Sequence, residues 1–176
     1  MKAILISIKP RYVANILDGK KTLEIRKTLP KYDLPIPVYI YCTKEKPYIT
    51  KIPVGYFVTS NPNRVSLLGS LNGNIVAKFM LNKVDIINEQ SDTIDLMLKA
   101  RLTLGELTKY LGDKVGYAWH IDNLEIFDKP KKLKEFYSTT TKIGMNMNGH
   151  NCVGYIGIPL TKAPQSWQFI EVKDND

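Results

Sequence analysis

Cysteine and histidine are scarce in this chain: two of each in 176 residues. Cys42 and Cys152 stand far apart in sequence, so no disulfide framework is indicated. The four soft-ligand residues, Cys42, His120, His150 and Cys152, have the atom types zinc takes but none of the paired short spacings its structural sites use. No metal and no cofactor are expected. Long apolar runs are absent too, and with them a helix able to cross a bilayer. Met1 and Lys2 lead straight into the apolar run from Ala3 to Ile8 without the pattern of a secretory leader. These absences together point to a reduced, cytoplasmic, soluble protein. The glycines from Gly69 to Gly73 lack the Lys and Ser or Thr of a phosphate loop. No internal repeat is present, and strand and helix patterns do not alternate strictly enough for a doubly wound parallel sheet.

Acidic residues are also in deficit, 17 against 25 Lys and Arg, for a formal charge of +8. That balance favours anionic partners such as nucleic acid, nucleotides or acidic surfaces, although a basic surface also serves solubility alone. The length and 44% hydrophobic content suit one core and one domain, residues 1–176.

Several short strands are legible. Ala3–Ile8 reads as a buried strand, followed by a helix from Pro10 to Asp18 with Pro10 at its first position, Val13, Ile16 and Leu17 on one face, and Gly19 as its stop. Val38, Ile40 and Cys42 share one face of the next clear strand, Tyr39, Tyr41 and Thr43 the other. Lys44–Pro53 reads as polar connection and Val54–Thr59 as a short strand. Ile75–Ile87 reads as one strand crossing the core, and Tyr117–Phe127 as another. Asp92–Ala100 is a helix, and Thr103 with Glu106 forms a capping box before the stripe Leu104, Leu107, Leu111. A turn or two of helix is expected over Lys131–Tyr137, with closing strands at Cys152–Ile158 and Phe169–Val172. Residues 60–74 and 138–151 read as loop insertions. The pattern predicts an α+β fold, a small mixed sheet curled into a barrel.

The chemistry concentrates after the first helix. Gly19, Lys20, Lys21, Thr22, Leu23, Glu24, Ile25, Arg26 and Lys27 place four cations and a carboxylate at a helix-to-strand turn, with Leu23 and Ile25 facing inward and Thr22, Glu24 and Arg26 sharing the other face. Such a cluster neutralises phosphates, and aromatic rings nearby supply stacking surfaces for bases. Tyr39, Tyr41, Trp119 and Trp167 are the aromatic candidates. Packing within the sheet is the alternative for the tyrosines, and a structural hydrogen bond the alternative for His120.

The run Gly19, Lys21, Glu24, Arg26 matches the GxKxxExR signature of ASCH domains, and the chain resembles the longer bacterial and phage-type members, with Pro164, Gln165, Ser166 and Trp167 near its end. The resemblance implies a PUA-like, mixed and mostly antiparallel β-barrel with flanking helices, and a cleft bordered by the signature in a superfamily best known for RNA binding. It implies RNA or a nucleotide-like small molecule as partner, with Lys20, Lys21, Thr22, Glu24, Arg26, Lys27, Tyr41 and Trp119 as ligand-binding residues. Small ASCH enzymes that hydrolyse N4-acetylcytidine share Lys21 and Thr22 but carry a catalytic Thr where Glu24 stands, and a Glu where Ala100 stands. Hydrolysis of a modified pyrimidine nucleoside or of RNA, with Lys21 as catalytic centre, is therefore an alternative with a broken triad. A protein-interaction or ligand-sequestering module is a third. The oligomeric state is left open.

Overall fold

The computed structural model describes residues 1–65, 69–139, 141–147 and 150–173, except the side chains of 141–147 and 150–156. In chain order the elements are β1 (Lys2–Ile8), α1 (Pro10–Leu17), β2 (Leu23–Arg26), β3 (Ile36–Cys42), β4 (Tyr48–Ile52), β5 (Gly55–Thr59), β6 (Ile75–Leu81), β7 (Val84–Ile87), α2 (Thr93–Ala100), α3 (Leu104–Leu111), β8 (Gly116–His120), β9 (Asp122–Lys131), β10 (Tyr137–Ser138), β11 (Thr141–Met147), β12 (His150–Ile156) and β13 (Trp167–Glu171). The principal sheet runs β10-β13-β1-β3-β6-β9, antiparallel except for the β1/β3 pair. A second sheet, β2-β8-β7, is antiparallel throughout.

β1 is apolar at nearly every position because both of its faces are covered. Ile4, Ile6 and Ile8 enter one core with Val38, Ile40 and Phe79, whereas Ala3 and Leu5 enter another with Tyr39, Tyr41 and Phe136. The period of two along a strand sorts alternate residues between the two cores. α1 packs Val13, Ile16 and Leu17 inward and begins with Pro10. Thr103 and Glu106 form the reciprocal capping box of α3.

The mixed, mostly antiparallel sheet expected from sequence forms, but among the described residues its ladders do not close into one barrel. The long strands read at Ile75–Ile87 and Tyr117–Phe127 each break, into β6 and β7 and into β8 and β9. β6 pairs with β9 while β7 pairs with β8, so one antiparallel ribbon bends out of the first sheet into the second. At the bend the His120 amide donates to the Lys83 carbonyl (3.1 Å), register shifts interrupt the β6/β9 ladder, and Asn123 takes a positive φ of 48°. Extra residues in one strand increase local twist and turn the ribbon. At the opposite seam no backbone ladder joins β2 to β1 or β13. Side chains span it instead, as the site shows below.

Two other connections also differ from the sequence reading. The polar stretch at Lys44–Pro53 contains β4, hairpinned to β5, and residues 138–151 contain β11 and the start of β12, a two-stranded ribbon. Each hairpin forms a sheet of its own, and β4 sends Ile49 into the first core. Lys131–Tyr137 holds a single short helical turn at Leu133–Glu135. Among the described residues no helix is long and apolar enough to cross a membrane.

Candidate functional site

Where α1 ends, Gly19 adopts φ +69° and reverses the chain, a conformation in which a β-carbon is strained. The amides of Lys20 and Lys21 then both donate to the Asn15 carbonyl, at 2.8 and 2.9 Å. Locked in that turn, the Lys21 side chain runs inward and is 3% exposed. Its ammonium donates to the carbonyls of Leu23 and Ala100, each at 2.7 Å, and lies 3.2 Å from Glu24 Oε2. Ala100 is the last residue of α2, so the cation also sits at the negative end of that helix. Burial pushes the Lys21 pKa down, opposed by the attraction of Glu24.

Glu24 and Arg26 share a face of β2, as the alternation requires. Glu24 Oε1 pairs with Arg26 Nη2 at 2.9 Å. The same nitrogen donates to the Ser7 carbonyl of β1 at 2.8 Å, and Nη1 donates to Ser166 Oγ at 3.2 Å. Arg26 therefore does with its guanidinium what a ladder does in a closed barrel: it ties the second sheet to β1 and to the segment before β13. Trp167 Nε1 adds a link to Thr28 Oγ1 at 2.9 Å. Arg26 Nε is buried without a hydrogen-bond partner among the described residues.

This triad forms part of the wall of a cleft of about 1100 Å³, bounded on other sides by α1, α3 and residues 165–166. Six cations line it, Lys9, Arg11, Lys21, Arg26, Lys27 and Lys109, against three carboxylates, Glu24, Glu45 and Glu106. Arg11 of α1 pairs with Glu106 of α3 at 2.7 Å and donates to the Tyr12 hydroxyl. Glu106 also accepts from the Thr103 amide, so one carboxylate both caps α3 and holds α1. Tyr12 and Tyr110 are the aromatic rings in the wall. Lys21 Nζ stands 5.3 Å from the Tyr12 centroid and Lys27 Nζ 5.0 Å from that of Tyr110. Burial raises the pKa of the Tyr110 phenol, with the positive charge of Arg26 pulling the other way.

Of the candidates named from sequence, Lys21, Glu24, Arg26 and Lys27 meet in this cleft. Lys20 and Thr22 are not among its lining residues. Lys20 is exposed and paired with Asp18 at 3.0 Å. Thr22 contributes backbone bonds to Lys99 and Ile121. Tyr41 and Trp119 lie in the cores and not in the cleft wall. Tyr41 is buried in the core that contains Phe136, and Trp119 is fully buried, 5.6 Å from the Trp167 ring. In a sheet with both faces covered, an aromatic residue on either face is core. Tyr12 and Tyr110 escaped notice because each lies on the polar side of a short helix, where periodicity marks only the buried stripe. The usable signal was Glu106 with Lys109 and Tyr110, three and four positions on and hence on one helical face.

Cys42 is fully buried, and burial pushes its thiol up to about 12, away from the thiolate a nucleophile requires. His120 lies 2.7 Å from Asp85 at the ribbon bend, away from the cleft lining. The side chains of His150 and Cys152 lie outside the described residues. No group of three or more metal-ligating side chains occurs among the described residues.

Solved structures similar to this one include ASCH from Zymomonas mobilis, 19% identical with a TM-score of 0.53 over 74% of this chain and 73% of that one. A serine-to-alanine mutant of the same protein aligns over 96% of this chain and 88% of its own, at 18% identity and TM-score 0.56. A tyrosine-to-phenylalanine mutant aligns at 20% identity and TM-score 0.50, over 76% and 77% of the two chains. No family model matches the chain, and no curated protein does. At these identities the likeness establishes architecture: the chain has the ASCH fold.

Proposed function

We propose that this chain is an ASCH-domain protein that binds single-stranded RNA, or a nucleotide-like segment of it, in the cleft between α1, α3 and the Lys21–Glu24–Arg26 triad. The surplus of six cations over three carboxylates in one concavity is the observation that carries this reading. Tyr12 and Tyr110 supply aromatic surface of the kind bases stack on. Glu24 has acceptor capacity left after Lys21 and Arg26, which suits it to a donor on the polar edge of a base. Hydrolysis centred on Lys21 has less support. All three protons of its ammonium are committed to Leu23, Ala100 and Glu24, and Glu24 is itself held by two cations.

Gln165 is exposed at the cleft wall, so Gln165→Trp fills the concavity without disturbing the core. Titrating labelled single-stranded RNA into wild type and variant is expected to show binding weakened by ~tenfold or more, about 1.4 kcal/mol, in the variant. Equal affinity in the two proteins would place RNA binding elsewhere.

A further inference from the structure

Cations in the cleft are not equally available to a ligand. Each of the three carboxylates is already engaged: Glu45 lies 3.6 Å from Lys9, Glu106 lies 2.7 Å from Arg11, and Glu24 holds both Lys21 and Arg26. Subtracting those pairs leaves two lining cations, Lys27 and Lys109, with no carboxylate within ion-pair distance among the described residues. They come from different elements, Lys27 from the residue after β2 and Lys109 from the last turn of α3. Tyr110 joins them, since it follows Lys109 in the chain and its ring lies under the Lys27 ammonium at 5.0 Å.

The triad is consequently unsuited to be the main anion receptor. A phosphate placed there competes with Glu24 for cations already neutralised, in a region where Lys21, Glu24 and Arg26 are each less than a tenth exposed. At Lys27 and Lys109 a phosphate meets uncompensated charge still in contact with solvent, and two lysines can neutralise a phosphodiester without first breaking an internal ion pair. Resting on the cleft reading above, we infer that Lys27 and Lys109, with the Tyr110 ring beside Lys27, form the phosphate-binding subsite of the cleft, while the triad takes only uncharged polar groups. The ligand class this selects is a phosphate-bearing nucleotide chain rather than a free nucleoside.

The experiment uses the uridine hexanucleotide as probe and measures log K against log salt for wild type, Lys27→Gln, Lys109→Gln, the double variant and Gln165→Trp. Lys134→Gln/Lys162→Gln, two exposed lysines outside the cleft lining, serves as the charge-matched control. Each phosphate contact contributes about 0.7 to the slope for single strands, so the double variant is expected to flatten it by ~1.4 and each single variant by ~0.7, with the control close to wild type. If the double variant keeps the control's slope while Gln165→Trp still blocks the probe, the subsite is overturned and the cleft reading survives. If the probe binds Gln165→Trp as it binds wild type, or fails to bind wild type at all, the cleft reading falls and the subsite with it. Flattening of the control by as much as the double variant would also overturn the subsite, because diffuse charge would then be the cause.

Discussion

Glu24→Gln is expected to lower the melting temperature by roughly 6–20 °C, the largest effect of any single polar substitution in this chain. Among the described residues Glu24 is the sole carboxylate partner of two cations, Lys21 and Arg26, buried on either side of it. The substitution preserves shape but strands both charges, and stranding a buried charge costs about 3–5 kcal/mol. For a domain of this size about 1 kcal/mol corresponds to 2–4 °C, which gives the stated range. The double variant Lys21→Met/Glu24→Gln is expected to be less destabilised than the two single losses sum to, since one of the stranded cations is gone. Thermal unfolding followed by circular dichroism measures both. A shift below ~2 °C for Glu24→Gln would mean that the triad is solvated, in the range of surface pairs.

Arg26→Lys is expected to be nearly as damaging, although it conserves charge. The guanidinium reaches Glu24, the Ser7 carbonyl and Ser166 at once, an arrangement that depends on a planar fork of donors. An ammonium on a shorter stem keeps the bond to Glu24 at best. Loss of the bonds to Ser7 and Ser166, with charge-assisted bonds contributing about 1.5–3 kcal/mol each, loosens the seam that no backbone ladder closes. Hydrogen exchange is expected to report this locally, with faster exchange at β2 and at residues 164–167 and little change in β3 or β6. Uniform acceleration would show that Arg26 acts on global stability alone, and unchanged exchange at the seam would show that it is not the tie.

Much of this was legible in the residues. β1, α1 and β3 follow from apolar spacing, Pro10 and Gly19, because each is defined by its own burial pattern. The signature cluster likewise stood out by its charge. Sequence could not show that Lys21 turns inward, since this depends on the Ala100 carbonyl 79 positions away. Nor could it show that the strands at Ile75–Ile87 and Tyr117–Phe127 bend together, because both halves of each remain extended and apolar. Tyr41 and Trp119 looked like stacking rings for a related reason. Alternation tells which residues share a face but not that a second core covers that face. The two lysines proposed to meet phosphate were half visible: Lys27 sits beside the signature, whereas Lys109 and Tyr110 join it only once α3 packs across the cleft.

Amide chemical-shift mapping with the uridine hexanucleotide tests the central claim most directly. Shifts are expected at residues 7–9, 24–28, 106–110 and 165–166, which come from four separate parts of the chain and meet only at the cleft. The smaller cavity of about 330 Å³ lined by Lys51, Asp128 and Lys132 is expected to stay silent. Shifts confined to that second cavity, or scattered over exposed lysines with none at β2 and α3, would contradict it.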